Sequence, residues 1–112
     1  MGKEQTISKL MRLGRLSGPT MYTYSNAKQL PHGEYGYCVL SIAEKTFYIS
    51  AVEGAAMEIG DLLYAIPISE MKDIRHSPRI TLNPYLKFTW QGADVVVGAV
   101  TADMKKALGI AK

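Results

Sequence analysis

From Thr20 onward the chain is a succession of short β-forming runs, each closed by a turn signal. No feature constrains the fold more. A short strand cannot bury a face alone, so such runs must pair through tight turns into antiparallel sheets. Threonine alternates with larger residues at 20–25, which reads as a first strand, and 26–33, with Pro31 and Gly33, reads as a loop. In the run 34–43, Tyr35, Tyr37 and Val39 are predicted to share one face and Cys38, Leu40 and Ile42 the other. Both faces are largely apolar, so this strand is expected to be central. Glu44-Lys45 reads as a tight turn into 46–52, and the two runs form the clearest hairpin in the sequence.

Residues 53–60, punctuated by Gly54 and Gly60, read as a loop, and 61–66 as a buried strand. Pro67 marks a break or an edge position, with 68–74 continuing as a strand or one turn of helix. Ser77-Pro78 and Asn83-Pro84 are turns around a short strand at 79–82. The runs 85–91 and 94–100, turned at Gly92-Ala93, make a second hairpin.

Helical spacing appears at the two ends. Ile7, Leu10, Met11 and Gly14 fall on one face of a helix over 5–16, with Thr6 as N-cap and Gly18-Pro19 as its stop. A short helix over 101–108 is capped by Thr101 and closed by Gly109, with Lys105 and Lys106 near its C-terminal end. The expected fold is therefore mainly β, an antiparallel barrel or sandwich of about seven strands with an N-terminal helix and a short C-terminal helix. At 112 residues one domain is expected: a helical extension over 1–18, a β-barrel over 19–100 and a helix over 101–112.

This order, with Thr46-Phe-Tyr-Ile-Ser50 followed by Tyr64-Ala-Ile-Pro-Ile-Ser-Glu-Met-Lys-Asp-Ile74, resembles the pleckstrin-homology-like superfamily, in particular its bacterial and GRAM-like members. The resemblance covers the region from Glu34 to the C-terminus and implies a binding module without chemistry of its own. Members of that superfamily dock lipid headgroups, peptides or other proteins.

The residues themselves point the same way. His32 and His76 are far apart, and no Cys/His/Asp grouping has metal-ligand spacing, so no metal or cofactor is expected. No serine lies in a nucleophile elbow, no glycine-rich phosphate loop is present, and the chain is not expected to be an enzyme. His32, between Pro31 and Gly33, is read as a loop residue, and Cys38 as a small buried hydrophobe. A single cysteine cannot form an internal disulfide, and no signal segment is visible, so a cytoplasmic protein, peripheral to a membrane at most, is expected.

The formal charge of +3 is too small to imply a nucleic-acid partner. Its distribution is more informative. Lys72, Arg75, His76 and Arg79 form a basic cluster that could hold a phosphate or acidic headgroup, Asp73 partly offsetting it. Lys9, Arg12 and Arg15 give the first helix a basic side suited to an anionic membrane or a partner. The seven tyrosines and Trp90 either pack cross-strand or supply an aromatic binding face. The expected role is a non-enzymatic binding or scaffolding module that engages a protein partner or a second copy of itself. Peripheral binding of anionic lipid is the alternative, and no small-molecule substrate is indicated.

Overall fold

A computed structural model describes residues 2–78 and 82–110. In chain order the elements are α1 (Lys3–Arg12), β1 (Tyr22–Ala27), β2 (Gly36–Ala43), β3 (Thr46–Glu53), β4 (Glu58–Pro67), a 3-10 turn at Ile68–Glu70, β5 (Lys72–His76), β6 (Tyr85–Trp90), β7 (Ala93–Gly98) and α2 (Ala102–Ala107). Strands β1 to β4 form one antiparallel meander and β5 to β7 a second. Seven strands and two terminal helices match the sequence expectation. Most of the boundaries move by one or two residues. The strand expected at 79–82 falls largely outside the described residues.

Turn chemistry explains the meander. Glu44 and Lys45 both take positive φ, at 47° and 65°, as do Gln91 and Gly92 at 51° and 79°. Two consecutive left-handed residues make the type I′ turn, whose twist matches that of a hairpin. The second hairpin thus turns one residue earlier than Gly92-Ala93, and Ala93 opens β7 opposite Trp90.

The two sheets pack face to face. Cys38, Leu40 and Ile42 of β2 and Phe47 and Ile49 of β3 meet the inner residues of β6 and β7, among them Phe88 and Val95. Phe47 and Phe88 touch edge-to-face across the gap, centroids 5.8 Å apart at 85°. Both are fully buried, and burial of each contributes roughly 1.5–3 kcal/mol. Val39 points to the opposite face of the first sheet, where it packs with Leu10, Leu16 and Ile59 under α1. β2 lies between β1 and β3, as expected of a central strand, but of the residues assigned to its second face only Val39 is buried: Tyr37 is exposed, and Tyr35, also exposed, precedes the strand.

No closed barrel forms. On one side the sheets adjoin: Lys28 and Gln29 N–H donate to the Val96 carbonyl at 2.9 and 3.1 Å, and Val96 N–H donates to the Gln29 carbonyl at 2.8 Å. Gly98 N–H donates to Ser25 Oγ at 2.8 Å, and a Cβ at Gly98 would sit 2.8 Å from the same hydroxyl, so only glycine lets β1 come this close. On the other side β4 and β5 are the last strands of their sheets, linked by the 3-10 turn and unpaired with each other. The β4 strand was expected to be buried. Its edge position instead leaves Asp61, Leu62, Leu63 and Ala65 exposed, while Tyr64 and Ile66 face the core.

Both helices end in a left-handed glycine. Gly109, at φ 77°, closes α2 through Gly109 N–H to Lys106 O and Ile110 N–H to Lys105 O, and Thr101 Oγ1 caps it by accepting Met104 N–H at 3.1 Å. Gly14, at φ 74°, does the same for α1. That helix therefore stops at Arg12, short of Gly18-Pro19, and Gly14 is its terminator instead of part of its apolar face. Thr6 is not the N-cap either. Gly2 takes that position, and Thr6 is buried with its Oγ1 3.0 Å from Tyr24 Oη. No helix among the described residues is long and apolar enough to cross a membrane.

Candidate functional site

The two ends of the sandwich are finished differently. β7 runs from the Gln91-Gly92 turn toward Gly98, and α2 follows it, covering one end with Met104 and Leu108 in the core. The opposite end carries the β6–β7 turn, where Gln91 and Gly92 are exposed.

Three elements converge there. The chain between β1 and β2 makes a three-residue loop: Gly33 N–H donates to Leu30 O at 2.8 Å and Leu30 N–H to Glu34 O at 3.2 Å. Pro31 supplies the fixed φ of the turn and Gly33 the positive φ, 86°, that returns the chain. His32 is thereby held at the tip. Tyr64 comes from β4, and Trp90 from the last position of β6, next to the type I′ turn. Pro31, His32, Tyr64, Trp90, Gln91 and Ala93 line a cleft of about 250 Å³.

Its walls are aromatic. Tyr64 and Trp90 meet at 6.0 Å and 84°, and His32 lies 6.0 Å from Tyr64 at 56°. The polar ends of Tyr64 and Trp90 are each tied to a carboxylate. Tyr64 Oη donates to Glu34, 2.8 Å from both carboxylate oxygens, and Trp90 Nε1 donates to Glu70 Oε1 at 3.0 Å. The backbone N–H of His32 is shared between Glu34 Oε1 at 3.1 Å and Tyr64 Oη at 3.3 Å.

Burial alone would raise the Glu34 carboxyl, but the bonds from Tyr64, its own backbone amide and the His32 amide, with the nearby His32 ring, outweigh it and hold the group below its ordinary 4.5. Tyr64 is pushed above its ordinary 10.0, by burial first and then by the Glu34 carboxylate it serves. At neutral pH the pair is therefore a phenol donating to an ionised acid. None of the six lining residues is a serine, cysteine or lysine nucleophile.

Among the described residues, the basic side chains singled out from the sequence have different surroundings. Lys72 and Arg75 are exposed on β5, with Arg75 opposite Lys87. His76 does structural work: Nδ1 bonds the Ser77 carbonyl at 2.9 Å and Nε2 accepts Val100 N–H at 3.3 Å, joining β5 to the approach to α2. Both ring nitrogens are thus engaged within the fold. Arg79 lies outside the described residues.

On α1, Lys9 and Arg12 border a groove that also holds Glu4 and Glu58, so the face is not uniformly basic. Arg15 does not lie on that face. Its Nη1 donates to Ser50 Oγ at 3.0 Å and to the Gly60 carbonyl at 3.2 Å, where β3 and β4 slip out of register. It seals a bulge.

Cys38 behaves as expected. It is buried, and burial pushes its thiol up to about 11. No group of three or more His, Cys, Asp or Glu that could hold a metal occurs among the described residues.

Sequence reasoning had His32, Tyr64 and Trp90 separately and did not join them. Glu34 and Glu70 were missed: Glu34 directly follows the 31–33 loop, which was the available signal, whereas Glu70 lies in the 3-10 turn after β4 and reaches the cleft only in space. Neither a scan against models of known protein families nor a search of curated proteins finds a match for the chain.

Proposed function

We propose that this chain is a non-enzymatic binding module of the pleckstrin-homology-like type that engages a protein partner through the aromatic cleft. The observation that carries the reading is the cleft itself. At about 250 Å³ it is smaller than the roughly 300–1,000 Å³ of small-molecule sites and fits one side chain. Aromatic walls around a side-chain-sized recess are the anatomy of an interface anchor point. Support for the fold type comes from the strand order, a four-stranded and then a three-stranded meander followed by a helix across one end. The lone thiol, buried and held protonated, suits a reducing cytoplasm.

A random peptide library displayed on phage and selected against the immobilised protein tests this. Peptides that bind the wild type and lose binding to Trp90→Leu support the reading. A selection that yields no peptide sensitive to Trp90→Leu refutes it. Light scattering after size exclusion, at low and high salt with and without anionic vesicles, supplies a second arm. Co-elution with vesicles only at low salt would shift the assignment to the membrane and to the exposed Lys72 and Arg75.

A further inference from the structure

We propose that the group seated in this cleft is a side-chain cation, the guanidinium or ammonium of an arginine or lysine carried by the partner protein. The proposal rests on the protein-binding reading above and names what that binding recognises.

Three features of the cleft select a cation. The first is the arrangement of π-faces. Tyr64 and Trp90 stand at 84°, so a group entering the angle between them meets more than one ring, with His32 at the tip of the adjoining loop. Ring faces carry negative quadrupole density and attract cations, most strongly for tryptophan. The second is what the rings are bonded to. The indole N–H of Trp90 donates to one carboxylate and the hydroxyl of Tyr64 to another. Donation to an anion polarises a ring toward higher π-density, which strengthens its hold on a cation and weakens it on an anion.

The third is local charge. Glu34 is kept ionised by its bonds, and Glu70 adds a second carboxylate. Among the described residues no lysine or arginine makes a hydrogen bond or ion pair with either. The chain as a whole carries +3, whereas the two charged side chains bonded to the rings of the cleft are both carboxylates. A phosphate or carboxylate ligand would be repelled here. An arginine or lysine would complete the charge balance and keep its stem against the rings.

The surroundings favour a protein over a free amine. Leu62 and Leu63, immediately before Tyr64, are 40% and 37% exposed on β4, the unpaired edge of its sheet. The β4 strand that carries Tyr64 has no strand partner on its outer side among the described residues, and a polypeptide can pair along that edge where a small amine cannot.

The test uses the ¹⁵N-labelled full chain and the indole N–H signal of Trp90. Capped single residues, N-acetyl-arginine and N-acetyl-lysine methylamides, are titrated beside the citrulline and norleucine equivalents. Peptides recovered from the phage selection are then compared with versions in which their arginine or lysine is replaced by citrulline or norleucine. The expected result is a saturable shift of the Trp90 indole with the cationic probes only, and about a tenfold loss of peptide affinity on neutralising the anchor. Glu70→Gln, at an exposed rim position, is expected to narrow that ratio while leaving the fold intact.

Selected peptides that bind through Trp90 equally well with citrulline or norleucine would overturn the cation assignment and leave the protein-binding reading standing. Absence of any Trp90-dependent peptide, with no indole shift from the cationic probes, would overturn both. Choline chloride binding as tightly as the best peptide would overturn the assignment to a protein side chain.

Discussion

Replacement of Arg15 by alanine is the sharpest test of how the first helix is joined to the β-sheet. Gly14 ends α1 in the left-handed region, and the turned chain carries Arg15 onto the stretch where β3 and β4 lose register. There the guanidinium serves a hydroxyl on a fully buried residue, Ser50, and a main-chain carbonyl, Gly60. Each bond to a charged donor contributes about 1.5–3 kcal/mol when buried. Arg15 is only half-buried, so water reaches the vacated site and re-satisfies part of what is lost. The expected net cost is about 2 kcal/mol. With an unfolding entropy of roughly 2.1 cal/mol/K per residue over 112 residues, that lowers Tm by about 8 °C. Urea denaturation followed by circular dichroism measures it, with exposed Arg12→Ala as the control for removing a positive charge from the same segment. Arg12→Ala is expected to stay within about 0.5 kcal/mol of wild type. A double-mutant cycle with Ser50→Ala isolates the Arg15–Ser50 bond. Equal losses for Arg15→Ala and Arg12→Ala, or a coupling of zero in the cycle, would refute the sealing role.

His76→Ala should cost about 1–3 kcal/mol in the same assay, because it strands the Val100 N–H; no loss would return His76 to the surface. Cys38, with its thiol near 11, should resist a thiol reagent at pH 8 in the native protein and react only on unfolding. Fast native labelling would contradict its burial. The Tyr64–Glu34 pair sets a pH window. The lowered carboxyl contributes stability present above its ordinary 4.5 and lost as pH falls through the folded value. The raised phenol contributes stability present below its ordinary 10.0 and lost as pH rises through its folded value. The Tm difference between wild type and Tyr64→Phe should therefore be flat between these limits and shrink at both ends, and a difference independent of pH would rule the pair out as its source. Ser41 Oγ is buried and has no hydrogen-bond partner among the described residues, so Ser41→Ala is expected to be neutral or stabilising by about 1 kcal/mol. A clear loss of stability would expose a partner for that hydroxyl.

The strands were legible because a period of two survives in the sequence wherever one strand face is buried. Cys38, Leu40 and Ile42 against Val39 gave the centrality of β2 directly. Where a strand lies at an edge the same apolar letters mean something else. Leu62 and Leu63 read as core and are exposed, because nothing in a run of apolar residues says whether another strand will lie beside it. Gly14 was misplaced for a related reason. Helical spacing continues through it, and only its left-handed backbone marks the end of α1.

The cleft was the least legible part, and the reason is geometric. Its residues come from positions 31–34, 64, 70 and 90–93, and no periodicity links them. Loop and turn geometry joins them: a three-residue loop that needs Pro31 and Gly33, and a type I′ turn that places Trp90 at the end of its strand. Charge counting pointed away from this end. The basic residues that drew attention are spent on the fold, Arg15 at the β3–β4 bulge and His76 at the approach to α2, or spread along β5 and α1. The carboxylates that matter are few, and each reaches its place by bonding an aromatic side chain. A half-buried arginine bonded into the scaffold and a glutamate beside the cleft count equally in a net charge. Among the described residues no lysine or arginine meets either carboxylate, so these two groups, and not the surplus of lysine and arginine, indicate the sign of the group this end would bind.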